Sequence, residues 1–211
     1  MSAPSYPSVP GRPLVLGHRG ASADAPENTR AAFHAALEQG ADGFELDVWR
    51  CGSGEAVVIH DPDARRTGQS PVAVAGSSLG RLRELDVGRW RGDAFAGERI
   101  PTLDEVLTAF PKAIVNVELK SARVPDLGLP VEVVRTLRQQ GAESRVVVSS
   151  FSAALLAAFR SLAPDVATGF LVAPGAIAWA RAEAAVRAIR PTAIHLAREL
   201  ATGKRLSAWG A

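Results

Sequence analysis

Glu45 and Asp47 stand two residues apart in Gly43-Phe44-Glu45-Leu46-Asp47-Val48-Trp49, where apolar and acidic side chains alternate. Alternation of this period sends Phe44, Leu46 and Val48 to one face of a strand and the two carboxylates to the other. Like charges that close oppose each other's ionisation unless a positive charge sits between them, and a bound divalent cation is the simplest one. The stretch Ala113 to Lys120 repeats the pattern, with Val115, Val117 and Leu119 on one face and Asn116, Glu118 and Lys120 on the other. Glu45, Asp47 and Glu118 thus form three hard oxygen donors from two strands, a set better suited to magnesium or calcium than to zinc. The plainer alternative is that each carboxylate pairs with one of the 21 arginines.

His18 and His60 end two other strand-like segments, and the chain has only four histidines. Two imidazoles beside a metal can serve as general base and general acid, because they titrate near neutrality; either could equally be a packed histidine held by backbone. Arg19 offers a two-pronged fork for a phosphate. Lys120 would serve the same anion or only neutralise Glu118. His34 reads as solvent-exposed, and His195 could point inward with nothing around it to give it a role. Arg65 and Arg66 read as surface charges, and Cys51 as a packed, idle thiol. The four tryptophans read as core or rim packing, with Trp90 a candidate for lining a substrate mouth.

The elements that must position these residues follow from local signals. Leu14 to Leu16 is a short apolar strand running into Gly17-His18-Arg19-Gly20. Asn28 or Thr29 would cap a helix over Arg30 to Gln39, closed by Gly40. After the acidic strand comes Ala56 to Ile59, then His60-Asp61-Pro62. Residues 62–100 are rich in Gly, Arg, Ser and Asp and read as an inserted excursion, only Leu79 to Leu85 looking helical. Thr102 and Glu105 carry the signature of a reciprocal helix cap. Strands at 146–149, 168–172 and 192–196 then alternate with helices around 129–140, 153–162 and 177–189, ending in a helical turn near Leu206. Alternating strands and helices predict a parallel sheet whose chemistry gathers at the carboxyl ends of the strands.

Composition narrows the class. Of 211 residues, 47% are apolar and 22% charged, which excludes disordered and fibrous chains. A formal charge of +2 is too mild to imply nucleic acid. A single cysteine rules out a disulfide framework and a thiolate metal site. No run reaches the roughly 20 apolar residues of a membrane span, so the expectation is a cytoplasmic protein with no membrane anchor. Residues 1–13, rich in Ser and Pro, read as a flexible leader before one domain over 14–211.

Taken together, His18-Arg19-Gly20, Pro26-Glu27-Asn28-Thr29 with Ala32-Phe33, Glu45-Leu46-Asp47-Val48, His60-Asp61, Ile100-Pro101-Thr102-Leu103, Glu118-Leu119-Lys120 and Ser149-Ser150-Phe151 resemble the glycerophosphodiester phosphodiesterase family in order and spacing. The resemblance implies a TIM-type (β/α) barrel with the excursion at 62–100 as the family's insertion. It implies a divalent cation, Mg2+ or Ca2+, held by Glu45, Asp47 and Glu118, with His18 and His60 as the acid and base pair. Arg19 and Lys120 would hold the phosphodiester of a small glycerophosphodiester, cleaved to glycerol 3-phosphate and an alcohol such as choline or ethanolamine. Attack by the substrate's own neighbouring hydroxyl, through a cyclic phosphate, belongs to the same implication.

The far end departs from that pattern. Outside the leader and the excursion the chain holds five or six units of roughly 30 residues, against eight in a closed barrel. The family's late Trp-Thr-Val-Asn strand is not found, and Ala208 to Ala211 reads as part of the helix before it. The expectation is a barrel lacking its last one or two units, with open edges that a second copy of the chain would cover. Two other readings follow: a non-catalytic remnant that binds metal or phospholipid headgroups, and a lysophospholipase D-type phosphodiesterase.

Overall fold

A computed structural model describes residues 4–201, with backbone only at 176–181. Strand β1 (Leu16–His18) leads to helix α1 (Arg30–Glu38), then to β2 (Gly43–Arg50) and β3 (Ala56–Val58). Helix α2 (Leu79–Arg83) lies in the excursion. There follow α3 (Leu103–Ala109), β4 (Ile114–Leu119), α4 (Gly128–Gln140), β5 (Val146–Ser150), α5 (Ala153–Leu162), β6 (Ala167–Val172), α6 (Ala176–Ile189) and β7 (Ala193–Leu196). The helical turn expected near Leu206 and the reading of Ala208 to Ala211 lie outside the described residues.

The strands form one sheet in the order β1-β2-β4-β5-β6-β7, every neighbouring pair parallel. Strand β3 runs antiparallel to the far end of β2, at Val48 to Arg50, on the edge that β1 occupies at Gly43 to Glu45. This is a partial TIM-type barrel: six parallel strands with helices on the outer face, in keeping with the five or six units counted in the sequence. Among the described residues β1 and β7 each pair on one side only.

Alternation decides what each face carries. Phe44, Leu46, Val48, Val115, Val117, Val146 and Val148 are fully buried against the helical layer. There Phe33 of α1 stacks on Phe44 at 4.2 Å, and Phe110 meets Phe44 edge-on at 5.3 Å. The same alternation turns Glu45, Asp47, Asn116, Glu118 and Ser149 to the inner face. Close approach of β2 to β4 depends on Gly43, where a Cβ would lie 1.7 Å from the Ile114 carbonyl oxygen.

Helix ends follow the sequence closely, with one correction. Thr29 caps α1 by accepting from the Ala32 N–H, and Thr102 with Glu105 forms the reciprocal cap of α3. Asn28 does not cap; it is buried and committed to Asp47. The excursion is also more than polar loop. Val74, Leu82, Leu85 and Val87 pack with Cys51, Val57, Ile59 and Ile100 in a second small core. The leader is tied down at Arg12, which pairs bidentately with Asp42 at 2.5 and 2.7 Å, and at Tyr6, whose hydroxyl lies 3.2 Å from His195 Nε2.

Candidate metal and phosphate site

Register brings the acidic residues together. Asp47 stands opposite Glu118 across β2 and β4, and His18 opposite Glu45 across β1 and β2. One oxygen from each of Glu45, Asp47 and Glu118 lies within 4.8 Å of the others. All three residues are buried, Asp47 at 1% exposure. Burial first, then the neighbouring Asp47 charge, pushes the Glu45 carboxyl up to about 8. Burial also raises Glu118, although the adjacent Lys120 ammonium pulls the other way. Three carboxylates in so little space are therefore short of positive charge.

The donor set fits a hard divalent cation. Glu45 Oε1 and Asp47 Oδ1 are buried without a hydrogen-bond partner. Lys120 Nζ approaches Asp47 Oδ1 to 3.3 Å as an ion pair, while its hydrogen bond goes to Glu118 Oε1 at 2.9 Å. Ionised carboxylates only accept, so buried and unsatisfied they need a cation or donors.

The other Asp47 oxygen is fixed. Asn28 Nδ2 donates to Asp47 Oδ2 at 2.8 Å, and Asn28 Oδ1 accepts from the Asp47 N–H at 3.2 Å. Arg19 Nε lies 3.5 Å from the same oxygen, and the Arg19 backbone N–H donates to Glu45 Oε2 at 3.0 Å. Both Arg19 and Asn28 hold φ of +58°. Left-handed backbone costs such residues on the order of 1–3 kcal/mol and gathers where surrounding structure over-determines it, commonly at functional sites.

His18 is exposed at the rim, its Nε2 3.9 Å from Glu45 Oε2. Partial desolvation of its ring, and then the Arg19 charge, lower its pKa. His60 follows β3. Its carbonyl accepts from Trp49 Nε1 at 3.0 Å, and its Nδ1 lies 2.7 Å from Asp61 Oδ1. Ile59, the residue before it, donates its N–H to the Asp47 carbonyl at 3.0 Å, which places His60 beside the acidic cluster. The seven residues singled out in the sequence thus converge on one mouth, at the carboxyl ends of β1, β2 and β4.

The remaining sequence readings divide. His34 is exposed, as expected, and pairs with Glu38. Cys51 is buried. Trp90 donates to the Val87 carbonyl within the excursion. His195 does point inward, its ring over Gly169, where a Cβ would come within 2.5 Å of it. Arg66 is not the plain surface charge expected, since it hydrogen-bonds Glu27 and Asp61. Glu27 and Asp61 had no role in the residue-level reading, and Asn28 only that of a candidate helix cap. Only the Pro-Glu-Asn-Thr and His-Asp words marked them; apart from the adjacent pair His60 and Asp61, their side-chain partners lie 5 to 39 positions away.

Comparison with known proteins follows the same lines. Residues 18–206 match the glycerophosphoryl diester phosphodiesterase family. A glycerophosphodiester phosphodiesterase of Caldanaerobacter subterraneus subsp. tengcongensis is 41% identical over 166 residues, 78% of this chain and 68% of that protein. One of Bacillus altitudinis is 35% identical over 155 residues, 72% of this chain and 63% of that one. The chain therefore spans about two thirds of the length of these curated relatives. A phosphodiesterase of Oleispira antarctica, solved in complex with the product sn-glycerol-3-phosphate, superposes with a TM-score of 0.85 at 30% identity, over 93% of this chain and 79% of that one. With nearly its whole length matched, this chain belongs to the glycerophosphoryl diester phosphodiesterase family, a family of hydrolases.

Proposed function

We propose that the protein hydrolyses small glycerophosphodiesters to glycerol 3-phosphate and an alcohol, with a divalent cation held by Glu45, Asp47 and Glu118. The observation that carries this is the convergence of three buried carboxylates, two of their oxygens unpartnered, with two imidazoles and two cationic side chains. When bound, the cation withdraws charge from the phosphoryl oxygens. Arg19 and Lys120 bind and orient the anionic phosphodiester. His18, whose pKa partial desolvation and the Arg19 charge lower, and His60, steadied through Nδ1 by Asp61, take up and return the protons of the nucleophile and the leaving alcohol.

All-oxygen ligation supports magnesium or calcium. The substrate class gives the protein a place in phospholipid breakdown, and a buried, unpaired Cys51 suits a cytoplasmic setting. No helix among the described residues is long and apolar enough to cross a membrane. We further propose that a second copy covers the edges of β1 and β7; sedimentation of the protein as a 22.1 kDa monomer would count against that.

Turnover of glycerophosphocholine followed by phosphorus NMR tests the activity. Release of glycerol 3-phosphate is expected. Binding without turnover would favour a headgroup-binding remnant, and turnover confined to an acylated lysophospholipid would favour a lysophospholipase D.

A further inference from the structure

The guanidinium of Arg66 makes three hydrogen bonds to two carboxylates. Nη1 and Nη2 donate to Glu27 Oε2 and Oε1 at 2.6 and 2.8 Å, and Nε donates to Asp61 Oδ2 at 2.8 Å. Glu27 also accepts from Arg19 Nη1 at 3.0 Å, so Arg66 and Arg19 share one carboxylate. Asp61 spends its other oxygen on His60 Nδ1. Burial pushes the Asp61 carboxyl up, but hydrogen bonds from His60 and Arg66 outweigh it and leave it below its usual range. An ionised Asp61 can only accept, so the shared proton resides on His60 Nδ1, and in the neutral ring the lone pair is on Nε2.

We infer that Arg66, presented by the excursion, is a positioning residue that locks Asp61 onto His60 and thereby fixes the imidazole tautomer and ring plane. Three features support it. Arg66 is the donor that satisfies the Asp61 oxygen left over by His60. Its fork is matched bidentately by Glu27, which rises from the loop before α1, so the anchor lies outside the excursion. And Arg66 sits on a segment with its own packed core, which Ile59 joins beside His60 and which these bonds tie to the site's carboxylates. The excursion thereby acquires a function: it delivers a clamp to a site made by the barrel strands.

The kinetic arm of the test rests on the proposed phosphodiesterase activity; the spectroscopic arm does not. Arg66→Gln in the full chain is expected to lower kcat on glycerophosphocholine about 10- to 100-fold, the usual effect of removing a group that orients a site's ligand, with KM unchanged. Arg66→Lys, which keeps the charge but not the fork, should behave like Arg66→Gln. Combined with Asp61→Asn, Arg66→Gln should add little, because both act through His60. Nitrogen-15 NMR of the imidazoles should show His60 as the Nδ1–H tautomer in the unsubstituted protein and as a mixture in Arg66→Gln. If the unsubstituted protein turns over no glycerophosphodiester, the proposed activity fails and the tautomer still decides this inference. An unchanged His60 tautomer in Arg66→Gln, or losses that add in full with Asp61→Asn, would overturn it.

Discussion

Asp47 has one oxygen tied by Asn28 and the other without a hydrogen bond, which divides it into an oriented half and an available half. Removing the orienting amide by Asn28→Ala is expected to weaken magnesium binding about 10- to 100-fold, read by calorimetry. Glu45 supplies a pH signature. Its folded pKa of about 8 stands above its ordinary 4.5, so the fold favours the protonated carboxyl. That stabilisation is complete below the unfolded value and is lost as pH rises through the folded one. In chelator, the melting temperature should carry a decline between about pH 4.5 and 8 that Glu45→Gln abolishes; an identical slope in both proteins would refute it. At this scale the cluster of three carboxylates was legible because alternation and chemical type suffice to group them. Asn28 and Arg66 were not, because their meaning lies in partners distant in sequence and in a left-handed backbone at Asn28.

Strand β2 owes its site to its neighbours: β1 and β4 fix its register, while α1 and α4 cover its apolar side. Helix α3 begins at the reciprocal cap of Thr102 and Glu105, and Thr102 also bridges Val57 of β3. Thr102→Ala should therefore cost about 1 kcal/mol of stability, measured by denaturant unfolding, without affecting metal affinity. The excursion responds differently. Leu82 is fully buried in its small core, so Leu82→Ala should cost about 2–5 kcal/mol. Regular elements were readable from the sequence to within a residue or two, as with α5 at Ala153–Leu162, since their apolar spacing and caps are local. Leu82 and Leu85 fall within the stretch read as helical, but the rest of the excursion's core was hidden because Val74 and Val87 stand among polar residues without a helix or strand period.

Six parallel strands in one continuous order make the described molecule a partial barrel, with the charged groups of the candidate site gathered at one end. The sequence conveyed this arrangement because β-branched strands alternate with helices, and the sharing of one mouth by β1, β2 and β4 follows from strand polarity. What it did not convey is the placement of the leader, whose Tyr6 meets His195 across 189 positions. The whole assembly converges on one claim, that buried carboxylates await a cation without which the phosphodiester is not cleaved. The most direct test is glycerophosphocholine turnover across a magnesium or calcium titration of chelator-treated protein, with Glu45→Gln, Asp47→Asn and Glu118→Gln in parallel. Turnover should vanish in chelator, return with the cation and stay absent in all three substituted proteins. Full turnover in chelator, or unimpaired turnover with the triad neutralised, would contradict the account.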